Sequence, residues 1–391
     1  MKIVAAVAAW ILAAAGAAGA ASPDPAVVDA DNEFGLKLLN VLRAGGAENT
    51  VISPTSVAMA LQMVFNGARG PTRQAMAAAL QLNGPAAENV DAANQALQAS
   101  LASTGPQIQL AIANSLWLRH GGREVAPSFM QAAKEHYAAE IGDLAGAPDN
   151  VNAWINQKTN GLIPQLLPAK PYGDAVALIV NAIYFKGTWT SPFDPGATAL
   201  ALFTTTGGRV NCSMMKQQEH VPYLETADFR AIRLAYGAER RLSMMILLPN
   251  DGHSLEAVAA EVTPAHLKQW LSRFRSTSVN VSLPRFKVSY KKSLPPALQA
   301  LGMGLAFDSR RADFGGIAPG TYLSDVEHAA LVQVDEAGTT AAAATGEMMS
   351  ITARVAPPVA FTVDHPFFFA IRDEASGALL FVGTVGNPGA G

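Results

Sequence analysis

The side chains able to do chemistry are few and scattered. Seven histidines lie along 391 residues, and no two sit at a spacing that offers both to one metal. The single cysteine, Cys212, excludes an internal disulfide framework and a Cys-rich zinc site. Read alone it is a small buried hydrophobe. The chain has no GxSxG elbow, no HExxH, no P-loop and no GxGxxG. Gly302-Met303-Gly304 lacks a third glycine and precedes no phosphate-binding helix, so it reads as a turn. A Ser/His/Asp triad assembled from distant positions carries no weight without geometry, and no carboxylate pair at a defined separation is legible. An enzyme is not expected, nor a metal or a cofactor.

The segment that resists a bland description runs from Glu336 to Pro358. A strand precedes it and a strand follows it. Their connection is about twenty residues, against a usual four to six. It has no charge run and no Ser/Pro/Gln bias. Gly338 supplies a pivot where the backbone can change direction. The residues after it are uniformly small, so they could slide between packed neighbours without a clash or a cavity. Ala341 to Ala344 have high helix propensity, and an Ala-rich surface helix is the simpler reading of the segment taken alone.

Composition narrows the setting. Lys plus Arg is 28 and Asp plus Glu is 31, a net charge of −3, without the clustered positive surplus that nucleic-acid binding uses. Hydrophobic residues make up 50% and charged residues 15%, which excludes general disorder. Met1-Lys2, the apolar run Ile3–Ala15 and the small residues up to Ala21, with Ala18-Gly19-Ala20 as the cleavage site, read as a secretory signal peptide. The expected division is therefore a signal peptide over 1–21 and one domain over 22–391. The expected product is exported, periplasmic or extracellular, with no stable membrane association. No later apolar run is long enough to span a bilayer, which takes roughly 20 residues.

Periodicity places helices first and strands later. Val27–Leu42 repeats apolar residues at helical spacing. Ser53-Pro54 caps a helix that Asn66-Gly67 stops. Further helices are expected over 73–80, 87–102, 128–138 and 150–167. Ala175–Tyr184 is nearly continuous in apolar residues, the mark of a strand buried on both faces. Strands follow at 209–215, 229–234, 242–248, 279–288, 326–336, 366–371 and 379–385, the last two joined at Ser376-Gly377. This order predicts an α+β domain on large, mostly antiparallel sheets.

Five blocks, in order along the chain, resemble the serpin family. Asn49–Ser56 with Asn66–Gly70 is similar to the family's early strand and second helix. Asn181–Trp189 with Pro192-Phe193 resembles its central segment. Ser324–His328 leads into a hinge, and Asp364–Phe369 and Phe381–Pro388 resemble the C-terminal signature. The resemblance covers nearly the whole chain after the signal. It implies the serpin fold: three β-sheets, about eight or nine helices and an exposed reactive-centre loop. It also implies a suicide-substrate inhibitor of serine endopeptidases that acts as a monomer. The protease attacks the loop, forms an acyl-enzyme, and is trapped when the cut loop enters the main sheet as a new strand.

Carried over residue by residue, the resemblance makes Glu336, Gly338, Thr339, Ala341, Ala342, Ala343, Ala344 and Thr345 the hinge. Thr340 departs from the acidic residue common there, at a position expected to face solvent. Alternation sends Ala341, Ala343 and Thr345 inward, and also Glu347. A buried carboxylate there is a departure that would slow insertion. The family's loop length puts the cleaved bond at Thr352-Ala353, suiting an elastase- or subtilisin-like pocket. The alternative, Arg354-Val355, suits a trypsin-like protease. Ser53, Ser56, Asn181 and His328 match a polar cluster beneath the sheet, Trp189 the top of the opening, and Arg285 with Glu336 an ion pair there. Residues 85–104 hold no Lys or Arg, so no heparin site is expected. Competing readings are a non-inhibitory carrier, chaperone or storage serpin, and an inhibitor of cysteine proteases.

Overall fold

The computed structural model describes residues 22–46, 48–119, 124–170, 172–338 and 357–390. The expected signal peptide lies outside them.

The first third is helical, as the periodicity predicts. It holds α1 (Pro25–Arg43), β1 (Asn49–Ile52), α2 (Pro54–Phe65), α3 (Gly70–Ala79), α4 (Pro85–Leu101), β2 (Ile108–Leu118), α5 (Pro127–Tyr137), β3 (Glu140–Asp143) and α6 (Asp149–Lys158). α2 starts where the sequence places its cap. The Ser53 hydroxyl accepts from Ser56 N at 3.1 Å, and Pro54 occupies the first turn, where no partner for its missing N–H is needed. Every residue of α2 is buried, so it is the central helix of the core. α6 ends at Lys158 and does not continue to Leu167. Asn160 and Gly161 take positive φ, and Thr159 Oγ1 accepts from Ile163 N in place of a helical carbonyl.

The rest is mostly strand. β4 (Ala177–Gly187), β5 (Ala199–Thr205), β6 (Gly208–Glu225), β7 (Phe229–Tyr236) and β8 (Leu242–Pro249) precede α7 (Leu255–Glu261) and α8 (Pro264–Arg273). Then come β9 (Arg275–Pro284), β10 (Phe286–Ser293), α9 (Pro295–Leu298), β11 (Leu323–Val334), β12 (Val359–Thr362), β13 (Phe367–Asp373) and β14 (Leu379–Val385). The expected single strand over 279–288 is two strands in two different sheets. Its ladder stops at Pro284, which has no N–H to offer, and Arg285 stands at the corner between the sheets.

The five-stranded sheet has the order β10-β11-β4-β2-β3. The nine-stranded sheet runs β1-β14-β13-β8-β7-β6-β9-β12, with β5 added on β6. The expected third sheet is the β5, β6, β9 and β12 end of this larger one, joined to the remainder through the 18-residue strand β6. Pairing is mainly antiparallel. The exceptions are β11 with β4, β2 with β3, and β12 with β9.

The centre of the five-stranded sheet is buried on both faces. Ala177, Ile179 and Ile183 of β4 face the large core that contains α2. Leu178, Val180 and Ala182 face a smaller core beneath α6 and the chain that follows it. This explains the near-continuous apolar run that marks β4 in the sequence.

A candidate site for strand insertion

The seam between β4 and β11 is the one place where two long central strands of the five-stranded sheet run parallel, with Ala177–Tyr184 in register with Leu323–Leu331. A strand entering there from a reversal after β11 would run antiparallel to both neighbours. Both new ladders would then have the more stable pairing.

Under the middle of the seam lies a buried polar cluster. Asn181 and His328 are cross-seam partners. His328 Nδ1 donates to Asn181 Oδ1 at 2.6 Å, and its Nε2 accepts from Ser53 N at 3.4 Å. Those partners assign the Nδ1–H tautomer. Asn181 Nδ2 donates to Ser56 Oγ at 2.5 Å, Ser56 O at 3.0 Å and Asn114 Oδ1 at 2.5 Å. Burial pushes the His328 imidazole down to about 3, so it is neutral and does no acid–base work at neutral pH. The structure thus brings Ser53, Ser56, Asn181 and His328 together and adds Asn114 of β2. Sequence reasoning missed Asn114 because it assigned no strand to 108–118. The signal was there: nine of those eleven residues are apolar or small, and Asn114 interrupts them.

At the top of the seam the chain leaving β11 turns back on itself. Asp335 N donates to Gly338 O at 2.8 Å, and Gly338 N donates to Asp335 O at 3.1 Å. Gly338 is also bridged antiparallel to Thr188, just past β4. Its φ is +122°, and a Cβ there would lie 2.3 Å from Gly187 O. Only glycine satisfies both constraints.

Trp189 closes the same spot. Its backbone N donates to Ala337 O at 2.9 Å, and its indole Nε1 donates to Asp335 O at 3.0 Å. The ring stacks on Tyr236 with centroids 4.3 Å apart.

Glu336 is held by Arg285, whose Nε lies 2.7 Å from both carboxylate oxygens, and by the Thr198 hydroxyl. Burial pushes the Glu336 carboxyl up, but the bonds from Arg285 and Thr198 outweigh it and the net direction is down. Arg285 itself is half exposed, so the pair is worth at most about 1 kcal/mol. Thr198, which stands just before β5, carried no sequence signal.

The other hinge and reactive-bond residues expected from sequence lie outside the described residues. They are Thr339, Ala341, Ala342, Ala343, Ala344, Thr345, Glu347, Thr352, Ala353, Arg354 and Val355. Among the described residues, no group of three or more His, Cys, Asp or Glu could hold a metal.

The comparisons agree with this geometry. The family profile "Serpin (serine protease inhibitor)" matches residues 29–388. Human Serpin B8 is 34% identical over 377 residues, covering 92% of this chain and 99% of that protein. The leukocyte elastase inhibitor of Bos taurus is 35% identical over 378 residues, covering 92% and 98%. Among solved structures, the thermophilic serpin tengpin in its native state superposes with a TM-score of 0.84 at 27% identity, covering 92% of this chain and 94% of that one. Human thyroxine-binding globulin complexed with thyroxine gives 0.84 at 25% identity, covering 93% and 98%. With its parallel seam, its glycine turn and a match along nearly its whole length, the chain belongs to the serpin family.

Proposed function

We propose that the protein is an exported, irreversible inhibitor of serine endopeptidases with an elastase- or subtilisin-like pocket. The protease's serine oxygen attacks the Thr352 carbonyl, the Ala353 amine leaves, and the resulting ester is trapped as residues after Gly338 enter the seam. Export rests on the N-terminal signal alone. The target class rests on the small residues at Thr352-Ala353 and on the likeness to leukocyte elastase inhibitor.

The observation that carries this reading is the turn at Gly338, already bridged to both sides of a parallel seam. Continuing that register, Ala341, Ala343 and Thr345 would come opposite Val332, Ala330 and His328. Val332 and Ala330 face the large core, so small inward side chains are what the space accepts. Glu347 would come opposite buried Val326, which slows the last part of insertion.

Roughly a dozen new ladder bonds at about 0.5–1.5 kcal/mol each give on the order of 10 kcal/mol, similar to a whole domain's stability. Trapping is then effectively irreversible. It requires insertion to outrun hydrolysis of the ester.

Incubation with a pancreatic-elastase- or subtilisin-type protease is expected to give a covalent complex that survives SDS. Mass spectrometry should map the cleavage to Thr352-Ala353. A loop cut with full protease activity retained sinks the inhibitory reading. Cleavage at Arg354-Val355 moves the target to trypsin-like enzymes.

The likeness to thyroxine-binding globulin keeps a carrier reading in view. That reading predicts a cut loop with no complex.

A further inference from the structure

The face of the five-stranded sheet opposite the large core is covered where β4 and β11 meet. α6 and residues 159–170 and 172–176 lie across it. Ile155, Leu167 and Tyr172 of this cover pack with Val180 and Ala182 of β4 and Ala329 of β11. Any strand entering the seam must pass beneath.

The cover is fastened at its far end. Arg119 donates from Nε to Ala175 O at 2.8 Å and from Nη2 to Tyr172 O at 2.6 Å. Val176 N donates to Ser324 Oγ, at the start of β11, at 2.8 Å. The Lys291 ammonium of β10 donates to Gln165 O.

Beneath the cover lies an acid that the polar cluster does not use. Glu327 of β11 is in register with Val180 of β4 and Ser293 of β10. It is 6% exposed, and alternation puts it on the same face as Asp325 and Ala329. Asp325, on the same strand, accepts from Ser293 Oγ at 2.7 Å and from Val326 N at 2.8 Å. From the cover come Lys170 and Tyr172, with the Lys170 ammonium 5.2 Å from the centre of the Tyr172 ring. From β10 comes Lys291, and β4 offers only apolar Val180.

The buried Tyr172 hydroxyl has no hydrogen-bond partner among the described residues. Burial and the charges of Glu327 and Asp325 push it up to about 12, so it stays neutral. Burial first, then the charge of Asp325, push the Glu327 carboxyl up from 4.5 to about 7, against a pull down from Lys170. A buried acid beside a second acid holds its proton while the cover is down. It ionises once the cover lifts and water reaches it.

We propose that Glu327 makes the lifting of this cover pH-dependent, so that strand insertion into the β4–β11 seam speeds up from acid to neutral pH. This rests on the insertion reading above. The sign follows from the two states. With the cover down the proton is held more tightly, so rising pH favours the open state from about pH 4.5. The gain levels off near pH 7, where the covered acid also ionises. The shift from 4.5 to about 7 bounds the effect at about 300-fold.

The test is the rate at which a synthetic peptide of residues 339–352 anneals into the full-length protein between pH 4.5 and 8.5, followed on native gels. The unmodified protein should accelerate by at least about tenfold and plateau above pH 7. Glu327→Gln, which cannot ionise, should be flat at the slow limit that the unmodified protein shows in acid. Asp325→Asn should move the midpoint to lower pH, and Lys170→Met should move it higher. A flat profile for the unmodified protein, or an unchanged one for Glu327→Gln, overturns the role of Glu327 while leaving insertion intact. Failure of the peptide to anneal at any pH overturns both.

Discussion

At the residue scale, His328 joins β11 to β4 through Asn181 and to the start of α2 through Ser53. It does so as a neutral ring, so protonation is a structural event. Its imidazole is held down to about 3 from 6.5. For a base lowered in the fold, the unfolded chain binds the extra proton between those values. The contribution to stability is complete above pH 6.5 and is lost as pH falls towards 3. Its size is at most about 5 kcal/mol.

Glu327 acts in the opposite direction. Its raised carboxyl favours the fold more as pH falls from 7 towards 4.5. The Glu327→Gln variant removes that opposing contribution and makes the histidine's easier to read. Its urea midpoint should fall steadily from pH 6.5 to 4, and adding His328→Gln should flatten that slope. An undiminished slope in the double variant would place the acid sensitivity elsewhere. His328 was legible in the sequence only through the resemblance, because a lone histidine in an apolar strand has no local signature of its partners. Glu327, beside it, had none either.

At the element scale, the proposed mechanism makes the reversal at Gly338 decide whether the chain leaving β11 can align with β4. Gly338→Ala places a methyl group 2.3 Å from Gly187 O at φ +122°. Strain of this kind costs about 1–3 kcal/mol, and relief requires the turn to leave the top of the seam. The variant should melt lower than the parent and form less SDS-stable complex per cleavage event. Unchanged values for both would mean that the hinge does not start from this turn.

The glycine was readable from sequence as a pivot, but the space around it was not. Gly187 and Thr188, at and just past the end of β4, lie about 150 residues earlier. Elements with strong periodicity, such as α1, α2, β4 and β8, were also readable. β2 and most of β6 were not, since polar residues such as Asn114 and Lys216–His220 interrupt their patterns. α7 and α8 escaped because two or three turns carry too little periodicity. The break between β9 and β10 depends on which sheet each half joins, a tertiary choice that overrides a continuous strand pattern.

At the scale of the whole molecule, the five-stranded sheet holds a parallel pair at its centre where an antiparallel strand could be added. On the proposed mechanism, a chain folded this way would be stable without being at its lowest free energy, and the stored difference would drive trapping. The alanine-rich composition now divides by role. One part is the expected export signal and another the run Ala341–Ala344, while the rest fills helices such as α3 and α4. The lone Cys212 is buried, and no cross-link among the described residues ties the two sides of the seam.

The most direct test is the thermal midpoint before and after one proteolytic cut between residues 346 and 354. Insertion of about a dozen residues should raise it by on the order of 15 °C. A cut protein that melts at or below the temperature of the intact one would contradict strand insertion, and with it the account of how this protein works.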